Sequence, residues 1–167
     1  MIVRNFLEFS RPPKLKMQRV SPSDVVDNAL VLLRHRLESY GVQVKLDRVE
    51  GLPEIWADPD QLKEVLVNLM LNACEVMAGG GVITVREEIL GDSPRGPAVV
   101  IRVGDTGPGI PESVQDKVFQ PFFSTKEEGT GLGLSIATRI IEDHGGRLEL
   151  ESKKNEGATF IITLPLT

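Results

Sequence analysis

A narrow polar stripe lies along one predicted helix, between about residues 59 and 77. Glu64, Asn68, Asn72 and Glu75 are spaced four, four and three residues apart, so they share one side of a helix. Apolar residues occupy well over half of the circumference, whereas a surface helix usually has a broad polar face. These carboxamides and carboxylates can bind a ligand, but they can equally be solvated, and helical geometry alone leaves both interpretations open.

A carboxylate followed by two glycines stands at the end of a predicted strand: Asp105, Gly107 and Gly109. A carboxylate in this position can accept a hydrogen bond from an amino group, such as the exocyclic amine of adenine. Glycines allow the backbone to approach a planar ring closely. Turns of this composition are also common in ordinary loops, so the segment is a weak indication when it is considered alone.

Three glycines at alternate positions, Gly129, Gly131 and Gly133, lead directly into another predicted helix. Exposed backbone N–H groups and the partial positive charge of a helix N-terminus favour phosphate binding. The spacing matches neither the P-loop nor the dinucleotide-binding fingerprint, and a flexible hinge is the alternative interpretation. Residues 120–128 form a lid-like stretch before these glycines, and its Lys126 is either a phosphate contact or an ordinary solvated lysine.

The elements that must position these residues are helices and strands joined mostly as neighbours. Ser21 and Pro22 are typical of a helix start, and Gly41 of a helix end. The pattern predicts an α/β sandwich with one mixed sheet and helices on one face. Helices are predicted over about 21–40, 59–77, 111–119 and 132–144, and strands over about 42–46, 55–57, 82–87, 98–103, 147–151 and 158–164.

Composition excludes several classes of protein. The 167 residues carry a formal net charge of −5 without a dense basic region, which argues against a nucleic-acid partner. The single cysteine, Cys74, rules out an internal disulfide and a cysteine-rich zinc site and fits a reducing compartment, so we expect a cytoplasmic domain. No apolar run approaches the roughly 20 residues that span a bilayer. The first ten residues, with Arg4 and Glu8, are unlike a signal peptide.

Four segments in this order resemble the N, G1, F and G2 boxes of bacterial sensor histidine kinases: residues 68–73, 105–109, 119–123 and 129–134. Gly157, Ala158, Thr159 and Phe160 resemble the last glycine box of that family. The likeness covers about residues 18–167, and the order and spacing of the boxes make it specific. Residues 122–126 are most similar to the nitrogen-regulation branch of these kinases.

The resemblance implies an α+β fold of the GHKL (Bergerat) type: a two-layer sandwich with a mixed, mostly antiparallel sheet covered on one face by helices. It also implies ATP and Mg²⁺ as cofactors. Asn72 would hold Mg²⁺, with Asn68 beside the same site, and Asp105 would bind the adenine amine. Lys126 would assist the phosphates from the lid, and Thr159 would support the adenine end beside Asp105.

The residues that the family pattern assigns fall into two groups. The catalytic residues would be Asn68, Asn72 and Lys126, and the cofactor-binding residues would be Asn72, Glu75, Val76, Asp105, Gly107, Gly109, Ile110, Lys126, Gly129, Thr130, Gly131, Leu132, Gly133, Leu134 and Thr159. Two positions depart from the family pattern. Glu75 stands where many relatives carry a basic residue that assists the phosphates, and Val76 stands where a Tyr or Ala is frequent.

Neither histidine has the context of a phosphoacceptor. His35 lacks the acidic residue and the Asn-Pro that follow the acceptor histidine in the family, and His144 is interpreted as an imidazole facing the carbonyls at a helix end. We therefore expect residues 1–20 to be the end of a phosphoacceptor-domain helix and a linker, and residues 21–167 to be the catalytic domain. The isolated chain would be a monomer that cannot phosphorylate itself, taken from a homodimeric parent.

The expected partners are ATP or ADP, the phosphoacceptor domain of the parent kinase and a downstream response regulator. The alternatives are an ATPase or a Ser/Thr-directed kinase of the same superfamily, or a degenerate nucleotide sensor. The ATPases usually place a Glu general base four residues before the metal-binding Asn, to activate water. This chain has Asn68 there, and a carboxamide cannot accept the proton. The resemblance therefore favours phosphoryl transfer over hydrolysis.

Overall fold

Helices cover one face of a twisted sheet in the computed structural model, which describes residues 14–121, 123 and 133–166. Strand β1 pairs only with β3, and the other five strands form the main sheet. In chain order the elements are β1 (Gln18–Val20), α1 (Pro22–Tyr40), β2 (Val42–Asp47), β3 (Ile55–Ala57), α2 (Pro59–Val76), β4 (Gly81–Leu90), β5 (Ala98–Asp105), α3 (Glu112–Gln115), α4 (Gly133–Asp143), β6 (Arg147–Ser152) and β7 (Ala158–Pro165).

The main sheet has the strand order β2-β4-β5-β7-β6. Strand β2 runs parallel to β4, and the remaining neighbours are antiparallel. The predicted α+β sandwich with a mixed, mostly antiparallel sheet is therefore confirmed. The hairpin predicted around Asn155 is also present, because β6 and β7 pair from Arg147 with Thr163 to Ser152 with Ala158.

The core lies between the helices and one face of this sheet. Alternate residues of a strand point to opposite faces, so Val99, Ile101 and Val103 of β5 face the helices together with Phe160 and Ile162 of β7. The opposite face carries ion pairs, such as Arg102 with Glu88, whose charged atoms are 3.0 Å apart, together with the buried Val100 and Ile161. The charged side chains of the sheet therefore lie mainly on the face away from the helices.

Side-chain caps fix the helix starts. The Ser21 hydroxyl accepts a hydrogen bond from the Asp24 N–H, and the Asp58 carboxylate caps α2 in the same way. Gly41 ends α1 in the left-handed conformation, with φ of 70°, as its position in the sequence predicts. No helix in the described part of the chain is long and apolar enough to cross a membrane.

Two segments differ from the prediction. The short helix expected over about 111–119 is helical only over Glu112–Gln115, and turns follow it. Within the expected linker, Gln18–Val20 form a strand because Ile55–Ala57 offer an antiparallel partner. The helix end expected in the first residues lies outside the described residues, and the predicted boundary at Ser21 stays a prediction.

Candidate functional site

The polar stripe of α2 lies at the edge of the core. Leu62, Leu66 and Leu69 bury one side of the helix almost completely. Asn68 and Asn72 are half-buried, whereas Glu75 is exposed near the helix end. The two carboxamides are therefore accessible from outside yet partly shielded from water, as a ligand-binding group requires.

Asp105 ends β5 on the helix-facing side of the sheet. Its Oδ1 accepts hydrogen bonds from the Gly107 N–H (2.9 Å) and the Ala158 N–H (3.3 Å). Burial raises the pKa of the carboxyl above its ordinary value, and the two backbone hydrogen bonds only partly oppose that effect. These bonds fix the orientation of the carboxylate. Its Oδ2 has no hydrogen bond to the described residues and can accept one from a ligand.

The turn after Asp105 packs against the C-terminal end of α2. The Thr106 hydroxyl donates to Met77 Sδ (3.4 Å) and accepts from the Val82 N–H (3.0 Å). A Cβ placed on Gly107 would lie 3.1 Å from Val76 Cγ2 and 3.1 Å from Asp105 Oδ1. The absence of a side chain at Gly107 therefore leaves space between Val76 and the carboxylate, and the structure brings these three predicted site residues together.

A second set of hydrogen bonds ties this turn to the β6–β7 hairpin. The Ile110 N–H donates to the Ser152 hydroxyl (2.8 Å), which in turn donates to the Gly157 carbonyl (2.8 Å). Gln115 Nε2 donates to the carbonyls of Ile110 and Ser152. Gly109 has φ of 76°, and a Cβ there would overlap the Lys153 carbonyl oxygen, so only glycine fits.

Ser152 and Gln115 were not among the residues that sequence reasoning selected. They belong to no motif, and their partners are 42 and 37 residues away along the chain. Only the pairing of the strands brings them to the turn. No signal in the sequence indicates this role.

The prediction for Thr159 requires a correction. Thr159 pairs with Gly104, and its Oγ1 would lie 3.0 Å from a Cβ on that glycine. Successive strand residues point to opposite faces, so the Thr159 hydroxyl is on the polar face, whereas the Asp105 side chain is on the helix-facing side. The group that contacts the Asp105 carboxylate is the backbone N–H of Ala158.

The predicted phosphate segment is described only from its end. Lys126, Gly129, Thr130, Gly131 and Leu132 lie outside the described residues. Gly133 is the first residue of α4, and Leu134 packs against the core. The N–H groups of the first turn of α4 have no partner inside the helix, which makes this end suitable for an anion.

The donor set of the described residues fits a Mg²⁺ ion that shares its ligands with a nucleotide. No group of three or more His, Cys, Asp or Glu residues in the described part of the chain could hold a metal by itself. Mg²⁺ commonly uses one or two protein oxygens together with phosphates and water. The carboxamide oxygen of Asn72, half-buried on α2, is a suitable ligand of that kind.

Comparison with known proteins identifies the family. The model of the family described as histidine kinase-, DNA gyrase B- and HSP90-like ATPase matches residues 57–167. The chain belongs to this family. Within this ATPase family it is a catalytic domain of the sensor histidine kinase type, and the family implies that it uses ATP.

Similar proteins support this assignment. The sensor histidine kinase ZraS of Escherichia coli (strain K12) is 39% identical over 165 residues, which are 99% of this chain and 34% of ZraS. The catalytic domain of histidine kinase ThkA superposes with a TM-score of 0.79 at 34% identity, over 91% of this chain and 97% of that domain. The structure of ThkA in complex with the response regulator protein TrrA superposes with a TM-score of 0.82 at 32% identity, over 99% of this chain and 46% of ThkA. The chain thus spans about a third of the length of ZraS and a smaller share of other curated relatives, such as 26% of AtoS of Escherichia coli (strain K12).

Proposed function

We propose that this domain binds Mg-ATP and donates the γ-phosphoryl group to a histidine of a separate phosphoacceptor domain. The observation that carries the proposal is the Asp105 carboxylate, which two backbone N–H groups orient beside the end of α2. The family relationship to ATPases and sensor histidine kinases supports the choice of nucleotide.

The adenine end of the site is formed by Asp105 and its turn. The desolvated carboxylate accepts a hydrogen bond from the exocyclic amine, and the neutral form cannot offer the same acceptor. Gly107 and Gly109 allow the base to lie against the backbone, and Val76 and Ile110 contact its faces. Burial strengthens the single polar contact, because less water competes for it.

The phosphate end of the site is formed by α2 and the first turn of α4. Asn72 would hold Mg²⁺, which when bound neutralises negative charge on the phosphates. Asn68 lies one turn earlier and orients the same end of the nucleotide. Gly133 and Leu134 begin the helix whose first-turn N–H groups face the phosphates. Lys126, Thr130 and the two glycines before α4, Gly129 and Gly131, complete this end in the proposal. Glu75 weakens phosphate binding relative to kinases that have a basic residue at that position.

The acceptor histidine comes from another domain. His35 is exposed on α1 but lacks the sequence context of an acceptor, and His144 is buried with both ring nitrogens hydrogen-bonded. In the transfer, a lone pair of an imidazole nitrogen forms the P–N bond while the bond from the γ-phosphorus to the bridging oxygen breaks. ADP leaves with that electron pair, and a response regulator then receives the phosphoryl group. The structural relative ThkA has been seen in complex with the response regulator protein TrrA, which supports a partner of this kind.

Labelling in trans tests this proposal. The chain is incubated with ATP labelled at the γ-position, alone and with a separately produced phosphoacceptor domain of the parent protein. We expect label on the added domain only, and no label with its acceptor histidine changed to glutamine. Label on this chain alone would place the acceptor within it and contradict the proposal.

Hydrolysis distinguishes the proposed kinase from an ATPase. Because Asn68 cannot accept a proton from water, we expect the chain alone to release phosphate very slowly. Fast steady-state release of phosphate, measured with a coupled assay, would favour the ATPase alternative.

A further inference from the structure

His144 is a buried polar residue directly after α4, with a relative exposure of 6%. Its Nδ1 lies 2.7 Å from the Ile140 carbonyl oxygen, which confirms the predicted contact with the helix end. Its Nε2 lies 3.0 Å from the backbone nitrogen of Asp58. A peptide N–H can only donate, so Nε2 accepts, and Nδ1 carries the proton that it donates to Ile140.

Asp58, the partner of His144, is itself held from several sides. Its Oδ1 accepts from the N–H groups of Asp60 (3.1 Å) and Gln61 (3.2 Å), which caps α2. Its Oδ2 accepts from the Lys16 N–H (2.9 Å) in the segment before β1. Three backbone N–H groups therefore hold the Asp58 side chain, and the backbone N–H of the same residue bonds α4 to the start of α2.

This bond determines how α4 lies along α2. The two helices pack against each other, and the bond places the C-terminal end of α4 at the N-terminal end of α2, so they are antiparallel. Over its 11 residues α4 extends about 16 Å, at about 1.5 Å per residue. The same distance along α2 from Asp58 reaches Leu69. By this estimate Gly133, at the start of α4, lies opposite the part of α2 between Asn68 and Asn72.

We propose that His144 is a positioning residue for the phosphate end of the nucleotide site. Its bond to Asp58 sets the axial position of α4 against α2, and so the distance between Asn72 and the N–H groups of the first turn of α4. The adenine end is formed by the turn after β5, by β7 and by the C-terminal end of α2, and no residue of α4 belongs to it, so a shift of α4 should affect the phosphate end first. The inference rests on the proposed function, because it assigns Asn72 and α4 to the phosphates.

Two variants of His144 separate its two hydrogen bonds. In His144→Asn the amide can replace Nδ1 and donate to Ile140, but nothing replaces the acceptor for Asp58. In His144→Gln the amide oxygen can replace Nε2 and accept from Asp58. Affinities for Mg-ATP, and for adenosine, which has no phosphates, are measured by isothermal titration calorimetry, and folding is checked by thermal unfolding.

For His144→Asn we expect Mg-ATP to bind about tenfold more weakly, because one buried hydrogen bond is lost, and the affinity for adenosine to change less than about threefold. His144→Gln should stay within about threefold of the wild type for both ligands. A merely structural role would lower both affinities equally, or lower only the unfolding temperature, and either result overturns the inference.

The outcomes distinguish this inference from the proposed function. Wild-type chain that does not bind Mg-ATP contradicts the proposed function and the inference together. Wild-type binding with unchanged Mg-ATP affinity in His144→Asn overturns only the inference. If His144→Asn is unfolded, His144→Gln remains a test of the inference. Since the glutamine keeps the bond to Asp58, a selective loss of Mg-ATP affinity in His144→Gln would show that this bond does not determine phosphate binding.

Discussion

Two carboxylates on the helix-facing side of the sheet differ in burial and in their hydrogen-bond partners. The Glu87 side chain, on β4, is fully buried and bonded to a hydroxyl and a guanidinium: Ser23 Oγ donates to it at 2.6 Å and Arg48 Nε at 3.1 Å. Asp105, at the end of β5, is only half-buried and accepts two backbone N–H bonds. No cation of the described residues pairs with Asp105.

The difference separates a structural carboxylate from a binding one. Glu87 has its charge balanced by Arg48, which also pairs with Asp27, so it joins α1 and the segment after β2 to the sheet. Asp105 keeps a desolvated charge, and burial raises its pKa because no cation compensates. An acceptor that folding leaves incompletely satisfied is available to a ligand, whereas one satisfied by the protein is not.

Replacement of Asp105 by asparagine should have the largest effect. Asp105→Asn keeps an oxygen that can accept from Gly107 and Ala158 but removes the charge, so we expect about a 100-fold loss of ADP and ATP affinity by calorimetry. Asp92→Asn, an exposed position in the β4–β5 loop, is the matched control and should bind normally. Unchanged affinity in Asp105→Asn would refute the assignment of the adenine contact.

Replacement of Glu87 should affect stability and leave binding intact. Glu87→Gln leaves the Arg48 guanidinium without its buried counter-charge, and we expect a loss of about 2 kcal/mol in the free energy of unfolding, measured in urea. Glu88→Gln is the control, since it removes a partly exposed ion pair and should cost less than about 1 kcal/mol. A loss of nucleotide affinity at 25 °C in folded Glu87→Gln would break the contrast with Asp105.

Acid pH should weaken nucleotide binding through Asp105. Its pKa is raised above the ordinary 3.8, so protonation of the free domain begins at a higher pH than for an exposed aspartate. Affinity for ADP should therefore fall as the pH is lowered through the raised pKa. The same shift means that ionised Asp105 disfavours folding, so the stability of Asp105→Asn should equal or exceed that of the wild type near neutral pH.

Calorimetry and thermal unfolding between pH 4 and pH 7.5 measure both effects. Asp105→Asn is the reference, because its weaker nucleotide binding should lack the part of the pH dependence that the Asp105 carboxyl causes. An identical pH dependence in the two proteins would show that Asp105 does not titrate in the binding reaction.

The smallest effect is expected at Thr159. Thr159→Val keeps the side-chain volume and removes a hydroxyl on the polar face of the sheet, so ADP affinity should change less than twofold. A loss comparable to that in Asp105→Asn would show that the hydroxyl supports the adenine end after all. This variant therefore tests whether the face of the sheet, rather than proximity along the chain, decides which residues serve the site.

Much of the fold was predictable because its causes are local. Capping residues, glycines and apolar periodicity set the limits of α1 and α2 within a residue or two. Runs of apolar residues, in part alternating with polar ones, identified the strands of the main sheet. The predicted positions of Asn68, Asn72 and Asp105 also follow from local pattern, since a helical side or a strand end is a property of a short segment.

Contacts between distant segments were not predictable in the same way. The partner of β1 is β3, and Glu87 meets Arg48 across 39 residues. Thr159 was expected beside Asp105 at the adenine end, but a motif gives the order of residues and not the face of the sheet on which a side chain lies. Only the register of β7 against β5 gives the Ala158 N–H to Asp105.

Residue types and spacing alone established the chemistry available to this chain: a carboxylate between glycines, two carboxamides one helical turn apart, and glycines before a helix. These are determined by local backbone geometry, which each segment carries with it. Tertiary packing decided which of these groups remain unsatisfied, because burial and hydrogen bonding depend on neighbours far along the chain. It balanced Glu87 with Arg48, left Asp105 with an open acceptor, and bonded His144 to Asp58 across 86 residues.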